Sequence, residues 1–275
     1  MDITIQALVM GIVQGLTEFL PVSSSGHLVI VPHLLGWTDP FITSLAFSVM
    51  LHLGTLVALL VYFRADWLVI VPAGIAAIRE RSLGSDPNRR LAWLIVVATI
   101  PAVIAGPILN DRLEAAVRTA EDVAVALVIG AAILWLADQL GRKVNGLDRI
   151  TFRLAAVIGL AQAIALVPGI SRAGITISAG LFAGLTREAA ARFSFLMATP
   201  VIAGAGLFEA RKLLTGEAGV AVQAAPLVVG MLAALVAGLA AIWVMLRYVR
   251  TRSYAVFVAE RIALAAVVLV VFLSR

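Results

Sequence analysis

The chain has 275 residues, 62% of them hydrophobic and 13% charged, where a soluble domain is roughly half apolar and about a quarter charged. That composition excludes a water-soluble globule and makes lipid the solvent, and apolar runs from end to end imply a single membrane domain over residues 1–275. The absence of cysteine excludes disulfides and thiolate chemistry, and the formal charge of +5, scattered over short loops, implies loop orientation and no nucleic-acid partner.

The first apolar run, 3–20, ends at Pro21. It has no basic leader segment and carries Glu18, so it is expected to be working structure and not a signal peptide. A polar stretch, Val22-Ser-Ser-Ser-Gly-His27, separates it from a short run at 28–36. Long runs at 43–63, 91–110 and 123–138 follow. Between the first two, 67–78 contains Pro72. It reaches only about 18 Å against a ~30 Å hydrocarbon core, so it is expected to be interfacial or partly buried. The run 151–167 then ends at Pro168, and Gly169-Ile-Ser-Arg-Ala-Gly174 leads into a short run at 175–185. Runs at 193–208, 219–246 and 262–274 complete the chain. Short apolar arms around a Gly/Pro break predict re-entrant hairpins.

The two breaks resemble each other. With an offset of 148, Gly11 and Gln14 fall on Gly159 and Gln162, Ser23 on Ser171, Ser24 on Arg172 and Gly26 on Gly174. The pattern predicts pseudo-repeats of about 1–145 and 149–275. Basic clusters at Arg79–Arg90, Arg142–Arg149 and Arg247–Arg252 assign those loops to the cytoplasm, and the acidic stretch 111–122 to the outside. Three crossings then separate the hairpins, and an odd number inverts the second copy. The expected fold is an all-α polytopic membrane protein with six transmembrane helices plus two re-entrant helical hairpins in an inverted-topology repeat, the polar tips meeting inside.

Polar residues at that depth are functional candidates. Gln14 and Glu18, four apart, share one helix face. Ser23, Ser24 and Ser25 offer hydroxyls, and Gly26 lets backbone approach a ligand. His27 lies three residues beyond Ser24, within expected reach of its hydroxyl. Taken alone, the serines also suit a helix cap. Arg172, at the equivalent loop of the second copy, supplies a planar fork for phosphate; its alternative is an ion pair with Glu18, and the two are compatible. His33 suits an interface and His52, mid-crossing, a cavity wall.

At these residues the sequence resembles the bacterial undecaprenyl-diphosphatase family, the integral membrane type linked to bacitracin resistance. Gln14-Gly-Leu-Thr-Glu18 through His27 is similar to that family's first signature, and Pro168-Gly-Ile-Ser-Arg-Ala-Gly-Ile-Thr176 to its second. Gln14 stands where many members have Glu, and Ala173 where they have Ser. The resemblance implies hydrolysis of undecaprenyl diphosphate to undecaprenyl phosphate and inorganic phosphate. It also implies a divalent cation, Mg²⁺ or Ca²⁺, and a multi-pass place in the bacterial inner membrane with the site open to the outer face.

On this reading Arg172 grips phosphate. Ser23, Ser25, Gly26, Gly169, Ser171, Gly174 and Thr176 complete a cradle. Glu18, with Gln14, holds the cation. Ser24 is the first choice of nucleophile with His27 as its base; His27 itself and water are the other two candidates. A homodimer is admitted. Two rivals are a transporter or flippase on the same inverted plan, and an acid-phosphatase-type enzyme, whose Lys-x₆-Arg-Pro stretch is absent.

Overall fold

The computed structural model describes residues 1–116, 119–217 and 219–273. Among them the fold is all-helical: α1 Ile3–Phe19, α2 Ser24–Leu35, α3 Leu45–Tyr62, α4 Arg64–Arg79, α5 Pro87–Ala116, α6 Ala120–Leu140, α7 Phe152–Ile164, α8 Arg172–Phe182, α9 Arg187–Thr215, α10 Ala224–Tyr248 and α11 Ala255–Leu273. Side chains start most of them. Ser44, Thr151 and Thr186 accept the backbone N–H groups of Phe47, Leu154 and Ala189, and Thr119 with Asp122 forms a capping box.

Among the described residues five helices are long and apolar enough to cross a membrane: Leu45–Tyr62, Pro87–Ile108, Glu121–Leu140, Arg187–Leu213 and Ala224–Tyr248. They match the expected runs 43–63, 91–110, 123–138, 193–208 and 219–246. Large apolar side chains such as Leu68, Leu207 and Val236 point outward, as lipid-facing surface requires. The expected sixth run, 262–274, lies mostly within α11, which starts earlier, at Ala255, and carries Glu260 and Arg261 in its second turn; residue 274 lies outside the described residues. The stretch 67–78 belongs to the short helix α4. The acidic stretch expected as a loop over 111–122 is helical to Ala116 and again from Ala120, and the side chains of Asp111, Arg112, Glu114 and Arg118 lie outside the described residues.

The two hairpins are α1–α2 and α7–α8, and their breaks have the same local geometry. Ser23 has φ 77° and Ser171 φ 73°, a region that L-residues with a Cβ avoid. Each is held there by capping the helix that follows: Ser23 Oγ accepts from Gly26 N (3.3 Å) and Ser171 Oγ from Gly174 N (3.1 Å). Because the serines cap, α2 begins at Ser24 and α8 at Arg172. Ser24, His27 and Arg172, placed by sequence in loops or at a loop edge, therefore stand on first helical turns, where the helix fixes their direction.

Packing keeps these arms close to their neighbours. α1 lies on α10, where a Cβ on Gly11 would overlap the Gly230 carbonyl oxygen and one on Gly15 would come within 2.6 Å of that of Ala234. α7 lies on α5 in the same manner, Gly159 against the carbonyl oxygen of Ala98. A shared core of Phe19, Phe63, Phe193 and Phe195 joins α1, α3 and α9, with the Phe19 and Phe195 rings edge-to-face at 5.5 Å.

The basic clusters meet at one end. Arg90 Nη2 donates to the Ile150 carbonyl (2.7 Å), Arg250 pairs with Glu188 (2.7 Å), and Arg187 with the buried Asp138 (2.6 Å), which also accepts from Tyr254 N (3.0 Å).

The close helix approach gives a test. Gly11→Ala should lower stability by about 1–3 kcal/mol, the usual range for overpacking. Gly106→Ala, where no atom lies within 4 Å of the added Cβ, should leave the thermal transition in detergent unchanged or slightly raised.

Candidate active site

One carboxylate organises the polar centre. Glu18, on the last turn of α1, is buried. Its Oε1 accepts from Arg172 Nη2 at the start of α8. Its Oε2 accepts from Gln14 Nε2 (3.0 Å) and from Ser24 Oγ (2.5 Å), and faces His52 Nε2 at 3.4 Å. The spacing of Gln14 and Glu18 thus places them together, as one helix face requires. Ser24 and Arg172, on separate hairpins, converge on the two oxygens of one side chain. His52, on α3, holds its other nitrogen, Nδ1, on the Ser48 carbonyl at 2.7 Å.

Two polar atoms in this cluster are buried without a hydrogen-bond partner: Arg172 Nη1 and Gln14 Oε1. Buried polar groups are nearly always satisfied. A free guanidinium N–H is suited to an oxyanion. A free amide oxygen beside a carboxylate is suited to a cation.

The remaining sequence-derived residues fall in two groups. Ser23, Gly26, Ser171 and Gly174 shape the breaks through the two caps. Ser25 Oγ lies 3.3 Å from Ser23 Oγ, and Gly169, at φ 96°, makes the turn after Pro168. Thr176 does not face the carboxylate: its hydroxyl bonds the Arg172 carbonyl (2.8 Å) and Ser194 Oγ (2.7 Å). It braces α8 against α9.

His27 is not on Ser24 either. Its Nδ1 lies 2.8 Å from the Ser23 carbonyl, an acceptor, so Nδ1 carries the proton there. Its Nε2 faces Glu260 Oε1 at 3.0 Å. The proton acceptor that Ser24 does have is Glu18. Sequence reasoning passed over Glu260, Arg261 and Ser194, and left His52 undecided. The signal for the α11 pair was available: two charges inside an otherwise apolar run, the same criterion that selects Glu18.

Residues 7–267 match the family described as Bacitracin resistance protein BacA. The chain belongs to that family. It is 46% identical over 270 residues to an undecaprenyl-diphosphatase of Desulforudis audaxviator, covering 98% of each chain. It is 44% identical over 277 residues to one of Geobacter sulfurreducens, covering 100% of each, and 42% identical over 271 residues to one of Moorella thermoacetica, covering 98% of each.

The buried pair makes a prediction independent of turnover. Arg172→Met leaves the Glu18 carboxylate buried without its cation and should lower stability by roughly 3–5 kcal/mol, while Glu18→Leu with Arg172→Met should cost less than that single change. Denaturant unfolding of the three proteins in one detergent decides it.

Proposed function

We propose that the chain hydrolyses undecaprenyl diphosphate to undecaprenyl phosphate and inorganic phosphate, recycling a lipid carrier for cell-wall polymers. The observation that carries this reading is the convergence of Ser24 and Arg172 on Glu18 with Arg172 Nη1 left unpaired. Relatives named undecaprenyl-diphosphatase that match over nearly the whole chain favour it over a transporter.

The chemistry runs as follows. The terminal phosphate takes the free Arg172 Nη1, and the guanidinium balances charge developing on the phosphoryl oxygens. Ser24 Oγ attacks the terminal phosphorus and its proton passes to Glu18 Oε2, already its hydrogen-bond acceptor at 2.5 Å. The bond from that phosphorus to the bridging oxygen breaks, and undecaprenyl phosphate leaves with the electron pair. Water then attacks the phosphoserine phosphorus, the bond from phosphorus to Ser24 Oγ breaks, Glu18 Oε2 returns its proton to Oγ, and inorganic phosphate leaves with the protons of the water. Gln14 and His52 hold Glu18 in line throughout.

A divalent cation belongs to the same proposal. Among the described residues no group of three or more His, Asp or Glu could cage a metal. The donors here are Glu18 and the orphaned Gln14 Oε1, which suit a cation held jointly with substrate oxygens and water. When bound, it would neutralise part of the diphosphate charge.

The full topology is inferred in the same way. α11 is taken as the sixth crossing, and the repeated Ser23 and Ser171 geometry supports an inverted pair of hairpins. The shared end of the basic clusters supports a cytoplasmic side opposite the α1–α2 hairpin. The site would then open to the outer face of the inner membrane. Single cysteines at Asp39 and Asn145, in a chain with none of its own, should label from opposite sides of sealed vesicles; labelling from the same side overturns the inversion.

Ser24→Ala should abolish phosphate release from undecaprenyl diphosphate by the purified protein, while Ser25→Ala retains most of it. Wild-type-like turnover of Ser24→Ala would pass the nucleophile to water or His27. Arg172→Lys should remain folded and lose about 10²–10³ in kcat, since Lys keeps charge but not the planar fork. Gln14→Leu should raise the Mg²⁺ or Ca²⁺ concentration that gives half-maximal turnover in chelator-treated protein.

A further inference from the structure

Among the described residues Arg261 is the largest fully buried side chain, with 0% of its surface exposed. It sits on α11, and its hydrogen bonds run to backbone carbonyls of both breaks. Nη1 donates to Pro21 O (3.4 Å), and Nη2 to Gly169 O (2.9 Å) and Ile170 O (2.8 Å). Pro21 follows α1 by two residues, and Gly169 and Ile170 immediately precede Ser171. One guanidinium therefore ties the turn that aims Ser24 to the turn that aims Arg172.

Two other helices vacate space for it. A Cβ on Gly130 of α6 would overlap Arg261 Nη2, and a Cβ on Gly174 of α8 would lie 2.9 Å from Nη1. No lipid-facing reason calls for a cation in this place. A guanidinium is costly to bury, and an apolar side chain would fill the same volume. What an apolar side chain lacks is the planar set of donors that can span carbonyls on two separate chain segments.

We propose that Arg261 is a positioning residue for the diphosphatase reaction: it fixes the distance between the two re-entrant turns, so that Ser24 and Arg172 meet across one phosphate. The inference rests on the assignment of Ser24 and Arg172 to the reaction. It places the alignment of the two hairpins in a third element, α11, which contributes no group to the phosphate. Reacting groups misplaced by about 1 Å lose on the order of 10² in rate. The loss should appear in kcat, because Arg172 still binds substrate while the nucleophile is misaimed.

The test uses full-length protein in detergent with undecaprenyl diphosphate as substrate. Variants are Arg261→Lys, which keeps the charge but cannot span the carbonyls, and Gly130→Ala, which keeps the arginine but crowds both its Nη2 and the Ile170 carbonyl that it binds. Each should lose about 10² in kcat with KM changed less than about threefold. The double variant should lose little more than the worse single, because both break one device. A folded Arg261→Lys or Gly130→Ala with kcat near wild type overturns the proposal. So does a loss expressed mainly in KM, which would put Arg261 on the substrate, and so do losses that multiply. If neither variant gives a folded protein, Arg261 is a stability residue and the proposal falls. Arg172→Lys measured alongside separates the premises: if it retains full turnover, the site assignment itself has failed, whatever Arg261 does.

Discussion

A helix broken inside an apolar bundle exposes backbone N–H and C=O groups to surroundings that cannot solvate them, and this molecule, with Ser23 and Ser171 both buried, is arranged around satisfying that demand twice. At each break a serine is held at positive φ, and its hydroxyl turns back to cap the helix that follows. The caps decide where α2 and α8 begin. That in turn puts Ser24 and Arg172 on first turns, aimed inward, with Glu18 waiting at the end of α1. The leftover carbonyls of both breaks are gathered by Arg261. The site is thus a by-product of backbone satisfaction, made from the groups that stand next to the repairs.

Glu18 occupies the centre because it is short of alternatives. It is almost fully desolvated, and a carboxylate so placed needs several donors. It has three, a guanidinium, an amide and a hydroxyl, with the His52 imidazole facing it at 3.4 Å. Gln14 is an apt neighbour in this respect. A second carboxylate at that position would repel the first in the absence of a cation, whereas the amide donates to Glu18 through Nε2 and still presents Oε1 as a hard oxygen.

Much of this was legible in sequence, and the limits are instructive. Apolar run lengths marked the five long helices and the two short pairs, because lipid imposes length directly. The internal offset located both breaks, since the same strained turn needs the same Ser and Gly at the same spacing. Gln14 and Glu18 followed from helix periodicity. The Ser24–His27 pairing did not, although the two lie one turn apart. Spacing states which side chains share a face, not which partner wins, and His27 is claimed by its own Ser23 carbonyl and by Glu260. Thr176 was lost to Ser194 in the same way. Glu260 and Arg261 arrive from more than two hundred residues beyond the first break. Nothing local to either hairpin could announce them, and the run was counted from residue 262, just past both charges.

The Glu18–Arg172 pair also bears on what happens once chemistry is finished. Inorganic phosphate is itself a good ligand for an arginine fork, and an enzyme that grips a phosphate tightly risks keeping its own product. Here the fork always has a resident anion within reach. On the proposed reaction Arg172 keeps Nη2 on Glu18 Oε1 and offers phosphate only Nη1, half of the fork. Glu18 acts as an internal competitor, weakening the hold on small free phosphate, while a diphosphate lipid keeps its advantage through the tail that it leaves in the membrane.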